Sequence, residues 1–284
     1  MDSERNAAAP AWPASISENR GAILRDYTLI LWLFKLGGLL NLYFLINTFR
    51  YSFGDDLYVI VPAQILFGVS TYRCFFPCRY EDNVVFHDSI FSSIFATRLL
   101  ATFAEIAWIY LFSYILRLLN ANHVQWVNLI SWLMVVQVVV SQCFVWAAIL
   151  TGQLELYVYE ELGWFFIFIA NTIVSAYVYL TVAALGGREV LLILNLLFGV
   201  SYLPFEFTHL VTLRAEARSH RATPAASSPS IRLVAGLKRS ILEKNRRTDA
   251  DSWGGRVGLI WMTGYWATLI PLWFYYIVKV LCPH

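Results

Sequence analysis

Apolar residues along this chain gather into seven long runs separated by short polar segments. The runs cover residues 27–49, 57–76, 94–119, 124–150, 156–185, 190–213 and 257–281. A helix of roughly 20 apolar residues crosses the ~30 Å hydrocarbon layer of a bilayer. Each run therefore predicts a transmembrane helix, and the pattern as a whole predicts an all-α, polytopic membrane bundle. The fourth and fifth runs exceed the minimum and predict tilt or extension beyond the membrane. Gly186-Gly187 interrupts an otherwise continuous apolar stretch and predicts a tight turn between the fifth and sixth helices.

The remaining segments divide the chain. Residues 1–26 read as a disordered tail with neither the basic start nor the apolar stretch of a cleavable signal. Residues 27–213 carry the first six helices, 214–256 form a long basic loop, and 257–284 carry the seventh helix and a short tail. Within the loop, 221–230 is rich in Ala, Ser and Pro and reads as linker. Residues 231–244 alternate apolar and basic positions, with Leu233, Leu237 and Ile241 on one helical face. That pattern predicts an amphipathic helix lying on an anionic inner leaflet.

Charge placement orients the bundle. The 214–256 loop holds ten Lys and Arg, and its face of the membrane, shared with the N-terminus and the second-to-third loop with Arg73 and Arg79, holds fifteen. The opposite face holds four: Arg50, Arg117, Arg188 and Lys279. The positive-inside rule then predicts a cytoplasmic N-terminus. The composition agrees: 58% hydrophobic and only 14% charged, well short of the quarter or so that soluble domains carry. It fits an integral, multi-pass protein whose partners are the bilayer and a hydrophobic small molecule, with no nucleic acid among them.

Ionisable groups inside a membrane are costly unless paired or facing a cavity, so they mark candidate chemistry. The third helix carries Arg98, Thr102 and Glu105 on one face. The fifth begins with Glu155 and Glu160-Glu161, with Trp164 and Asn171 on the face of Glu160. The sixth aligns Asn195, Tyr202, Glu206 and His209, with Pro204 among them predicting a kink. Lys35 lies about two turns inside the first helix. Lys35, Arg98, Glu160, Glu161, Glu206 and His209 fall in the same half of the membrane, with Arg73, His87 and Asp88 at its edge and Glu105 nearer the midplane. Agreement in depth among separate helices predicts one polar cavity open toward the cytoplasm.

Glu105, Glu206 and His209 are the candidate acid–base residues, because a carboxyl group in low dielectric favours its neutral form. Arg98, Lys35, Glu160, Tyr202 and Asn171 are the candidate substrate ligands, Arg98 for an anionic group. Glu206-x-x-His209 has the spacing of di-iron helices but occurs once, where such a site needs two copies. No cofactor motif is present. Hydrolase, zinc-protease and nucleotide-loop motifs are absent. The four cysteines do not form a disulfide framework. Cys143 reads as core, and Cys74 and Cys78 as thiols at a membrane edge. Residues 66–70 recur as 197–201 (LFGVS) in a helix of the same direction.

The expectation is a membrane-embedded enzyme acting by acid–base chemistry on a prenyl, sterol or acyl substrate. A small-molecule or ion transporter or channel is the alternative, and a receptor or scaffold the second. G-protein-coupled receptors match in helix count alone. Their sixth-to-seventh loop faces outward, and their D-R-Y and N-P-x-x-Y signatures are missing here.

Overall fold

A computed structural model describes residues 26–51, 56–80, 82–182, 187–220 and 229–283. The N-terminal tail, the 221–228 linker and Gly186 lie outside the described residues. Seven helices are long and apolar enough to cross a membrane. They are α1 (Thr28–Thr48), α2 (Leu57–Phe75), α3 (Ile94–Leu119), α4 (Gln125–Thr151), α5 (Glu155–Thr181), α6 (Glu189–His220) and a seventh span built from three pieces. The chain is an integral, multi-pass membrane protein.

Local chemistry sets the helix ends. Asp56 caps α2 by accepting the Tyr58 N–H at 2.9 Å, and Ser93 caps α3 through the Ala96 N–H at 3.3 Å, satisfying donors that have no intrahelical partner. Gly152 ends α4 in the left-handed region at φ 72°, with its N–H on the Ala148 carbonyl at 2.8 Å, a conformation that suits glycine. α6 runs unbroken through Pro204 and continues past residue 213 to His220.

The seventh span departs from the single helix predicted over 257–281. It consists of α8 (Gly255–Trp261), a π-helical turn (Met262–Ala267) and α9 (Leu269–Leu281), with Thr268 at φ −134°, ψ −81° between the last two. Pro271 explains the break. It has no N–H to give the Ala267 carbonyl, and its ring collides with that carbonyl in regular helix. The neighbouring Trp266 carbonyl finds other donors: Asn41 Nδ2 at 2.9 Å and Cys74 Sγ at 3.5 Å. α1 approaches the turn closely enough that a Cβ on Gly37 would lie 2.5 Å from Ala267 Cβ.

A small cap covers one face of the bundle. β1 (Cys78–Arg79) pairs antiparallel with β2 (Val84–Val85), and β2 pairs parallel with β3 (Asn245–Arg246). Tyr27 N–H donates to the Thr248 carbonyl at 2.7 Å, Arg79 Nη1 to the Ser252 carbonyl at 3.2 Å, and Trp253 Nε1 to the Arg247 carbonyl at 2.9 Å. The start of α1, the α2–α3 connection and the α6–α8 loop thus meet on this basic face.

The basic loop also forms α7 (Pro229–Leu242). Arg239 Nη2 donates to the Ile149 carbonyl at 3.0 Å, and Gly236 sits directly on Leu150. α7 is thereby clamped across the end of α4, with Leu233, Val234, Leu237 and Ile241 exposed. On the other face Tyr114 donates to Asp56 Oδ2 at 2.5 Å, and Asn122 Nδ2 reaches the Thr181 carbonyl at 3.5 Å. The connections alternate between faces as seven crossings require. Cys143, expected in the core, is exposed on the outer surface of α4, whereas Cys74, Cys78 and Cys282 are buried.

Candidate functional site

The polar groups on the basic half of α3, α4 and α5 converge. Arg98 Nη1 donates to Glu105 Oε1 at 3.1 Å, and Arg98 Nη2 to Glu105 Oε2 at 2.6 Å. Their seven-residue separation stacks them two turns apart on α3, which is what lets the guanidinium meet the carboxylate side-on. Gln142 of α4 closes the set, donating to Glu105 Oε2 at 2.9 Å while its Oε1 accepts from Arg98 Nη2. Glu160 of α5 stands 3.8 Å from the same Arg98 nitrogen. Arg98, Glu105, Gln142 and Glu160 are all buried.

A second arginine approaches from α2. Arg73 is buried, with its guanidinium 5.0 Å from the Tyr80 ring centroid and 4.7 Å from that of Trp266. Its Nη1 donates to Tyr80 Oη at 2.6 Å. Burial pushes the Tyr80 phenol up to about 12, against the lowering influence of Arg73 and Arg98. The phenol therefore stays neutral at physiological pH and accepts from Arg73 as a hydroxyl. Arg98 also lies 5.5 Å from the Tyr80 ring centroid, so this one aromatic separates two cations.

Between these walls is a cavity of about 310 Å³. Its lining includes Arg73, Arg79, Tyr80, Arg98 and Glu105 together with Glu160, Glu161 and His209. His209 Nε2 lies 3.7 Å from Glu161 Oε1. Behind that wall, Glu206 is buried beside Glu161 and Tyr202, and neither of its oxygens makes a well-formed hydrogen bond. Trp164, Trp253, Trp261 and Phe205 supply apolar surface. α6 packs along α5, while the seventh span packs on α1 and α2. The cavity lies in the gap that this leaves between α6 and α8, bridged by stacking of Phe205 on Trp261 at 6.4 Å.

Toward the opposite face an aromatic cluster fills the bundle. Trp108, fully buried on α3, meets Tyr265 at 4.8 Å, Trp164 at 5.4 Å, Phe168 at 5.5 Å, Phe198 at 5.8 Å and Phe112 at 5.9 Å. Trp108 follows Glu105 by one helical turn, so the polar cavity ends where this cluster begins.

Of the residues expected from sequence, Arg98, Glu105, Glu160 and His209 line the cavity. Glu206 and Tyr202 stand immediately behind it. Lys35 is elsewhere, with Nζ 4.1 Å from the Trp32 ring centroid on the outer side of α1. Asn171 faces Asn195, whose Nδ2 lies 3.4 Å from Asn171 Oδ1, within the α5–α6 interface. Sequence reasoning gave no role to Tyr80 or Gln142 and placed Arg73 only at the edge. A glutamine in the apolar run of α4 was the available signal for Gln142. No cluster of three or more His, Cys, Asp or Glu suited to a metal ion occurs among the described residues. No protein-family model, curated protein or solved structure matches the chain.

Proposed function

We propose that this protein is a membrane-embedded enzyme that works by acid–base chemistry on a lipid-like substrate. One observation carries the reading: a cavity with titratable groups on its walls is lined by residues of both α6 and α8 and by Trp164, which packs on the Trp108 cluster. A lipid reaches such a cavity sideways from the bilayer, its polar end among the charged groups and its chain along Phe205, Trp261 and the outer surface of α6.

The residues divide by role. Glu161 and His209 are the proton-transfer pair, because both face the cavity within reach of each other and a carboxylate–imidazole couple can exchange a proton near neutral pH. Glu206, beside Glu161, acts through it. Arg73 offers its guanidinium to an anionic part of the substrate. Arg98 is already committed to Glu105, Gln142 and Glu160 and acts as a positioning residue. A transport path would have to cross the Trp108 cluster, which lessens the support for the transporter reading.

The test is lipid profiling of membranes from cells expressing the wild type, Glu161→Gln or His209→Asn, each at matched abundance. The expected result is a lipid converted to a new chemical species by the wild type, with the conversion reduced about 100-fold in either variant. Identical lipid profiles with and without the wild-type protein overturn the enzyme reading. Equal conversion by both variants overturns the assignment of the pair.

A further inference from the structure

A second groove, of about 390 Å³, lies on the basic face, away from the cavity. Trp32 and Thr28 of α1 form one side, Phe86 and His87 the floor, and Arg246 and Arg247 the other side. The cap holds this arrangement together. The pairing of β2 with β3 sets Val85 opposite Arg246, and the Arg247 N–H donates to the Val85 carbonyl at 3.2 Å. His87 packs against Phe86 at 4.4 Å and edge-on to Trp32 at 5.9 Å, and its Nε2 is buried without a hydrogen-bond partner among the described residues. Lys35 reaches back along α1 to lie over the other aromatic shelf, 4.1 Å from the Trp32 centroid and 5.9 Å from that of Phe86.

The groove concentrates positive charge. Lys35 and Arg246 both act on His87 electrostatically. Of the nearby acids, Asp88 is engaged outside the groove, while Asp26 and Asp249 stand at its rim on Thr28 and Arg247. Asp88 lies 3.6 Å from Lys244, Asp26 accepts from the Thr28 N–H and hydroxyl, and Asp249 faces Ser252 and Arg247. No acid forms an ion pair with Lys35 or Arg246 among the described residues. Below the groove, Leu29, Leu33 and Leu36 are exposed on α1. A cluster of cations with an aromatic shelf, set above an apolar stripe at the membrane edge, is the arrangement that suits a phosphate joined to acyl chains.

We propose that this groove is a phosphate-binding site, with Lys35, His87 and Arg246 as ligands of a phosphate borne by an anionic lipid headgroup. The site is independent of the enzyme reading, because it shares no residue with the cavity between α6 and α8. Arginine and lysine supply charge-assisted donors to phosphate oxygens, and the orphaned His87 nitrogen supplies a third contact.

The experiment is native mass spectrometry of the purified protein incubated with phosphatidic acid, phosphatidylglycerol or phosphatidylcholine, alongside thermal unfolding with inorganic phosphate. Lys35→Gln with Arg246→Gln is the test variant. Among the described residues neither side chain has an ion-pair partner, so neither substitution strands an acid there, and Arg188→Gln, exposed on the opposite face, is the control. His87→Asn serves as a second, milder variant. The wild type and the control are expected to retain phosphatidic acid or phosphatidylglycerol about tenfold more than phosphatidylcholine. The double variant should lose that preference, as the removal of a charge-assisted contact implies. Stabilisation of the wild type, but not of the double variant, by inorganic phosphate alone assigns the site to free phosphate. Equal retention of all three lipids with no response to phosphate overturns the proposal, as does a double variant that behaves like the wild type.

Discussion

Replacing Glu105 with alanine tests whether the α3–α4 polar set is framework or chemistry. The carboxylate accepts two hydrogen bonds from Arg98, at 3.1 and 2.6 Å, and one from Gln142 at 2.9 Å. Charge-assisted bonds of this kind contribute roughly 1.5–3 kcal/mol each. Removing one partner of a buried pair costs about 3–5 kcal/mol, because the remaining charge is left uncompensated. Glu160, at 3.8 Å from Arg98 Nη2, supplies residual compensation. It holds the expected loss near the lower limit, about 3 kcal/mol. The converse variant removes every partner at once. Arg98→Met, Glu105→Leu, Gln142→Leu and Glu160→Leu together should lie within about 1 kcal/mol of the wild type, since a well-packed apolar replacement of a buried ionic set is often neutral. Equilibrium unfolding in mixed micelles, read by tryptophan fluorescence, measures both. A Glu105→Ala variant within about 0.5 kcal/mol of the wild type refutes the reasoning, the scale of a change that touches no special feature. So does a quadruple variant less stable than the single one. The result also bears on function, because a stability loss at Glu105 would mimic loss of activity, whereas Glu161 and His209 can be altered without stranding a buried arginine.

Two further outcomes follow from particular contacts. A methyl group on Gly236 would fall 1.8 Å from the Leu150 carbonyl oxygen; Gly236→Ala should therefore lift α7 from the end of α4, raising amide exchange across Pro229–Leu242 while leaving exchange in α3–α5 unchanged, and unaltered protection of α7 would show that the contact is not what holds it. His87 should titrate below its ordinary 6.5, because burial and the charges of Lys35 and Arg246 disfavour the imidazolium. Its neutral form is favoured in the fold, so between that lowered value and 6.5 the unfolded chain binds more protons and stability falls as pH drops through the window. Histidine NMR should show the midpoint rising in Lys35→Gln, and a midpoint at or above 6.5 in the wild type would contradict the arrangement.

The membrane spans were legible because a bilayer imposes a length and a polarity that a single sequence displays openly. That Arg98, Glu105, Glu160 and His209 line one cavity was legible for the same reason: charge in hydrocarbon is rare enough that its position carries information. Direction was harder to read. Lys35 sits at a suitable depth, yet its four-carbon stem lets it leave the bundle for Trp32, and nothing in the spacing of α1 reveals that. Asn171 shares a helical face with Glu160, but Asn195 meets it across the α5–α6 interface. A periodicity argument finds the inward face and cannot separate a helix interface from a cavity wall. The cap strands are two residues each, too short for any alternation to register, so Tyr80 and the groove at His87 were out of reach.

The broken seventh span links these observations. A continuous helix over 257–281 would keep every carbonyl bonded within itself and would carry its side chains past the cavity on a regular 3.6-residue turn. Pro271 withdraws one donor, and the chain answers with a π turn that holds an extra residue in the same rise. Tyr265 and Trp266 fall in that turn and point in two useful directions. Tyr265 meets Trp108 at 4.8 Å and extends the aromatic cluster, while Trp266 faces Arg73 at 4.7 Å and roofs the cavity. The Trp266 carbonyl is meanwhile held by Asn41 and Cys74, which tie the turn to α1 and α2 and away from α6. The same irregularity that completes the cavity roof therefore draws the seventh span off α6, and the gap between them is a consequence of where Pro271 stands.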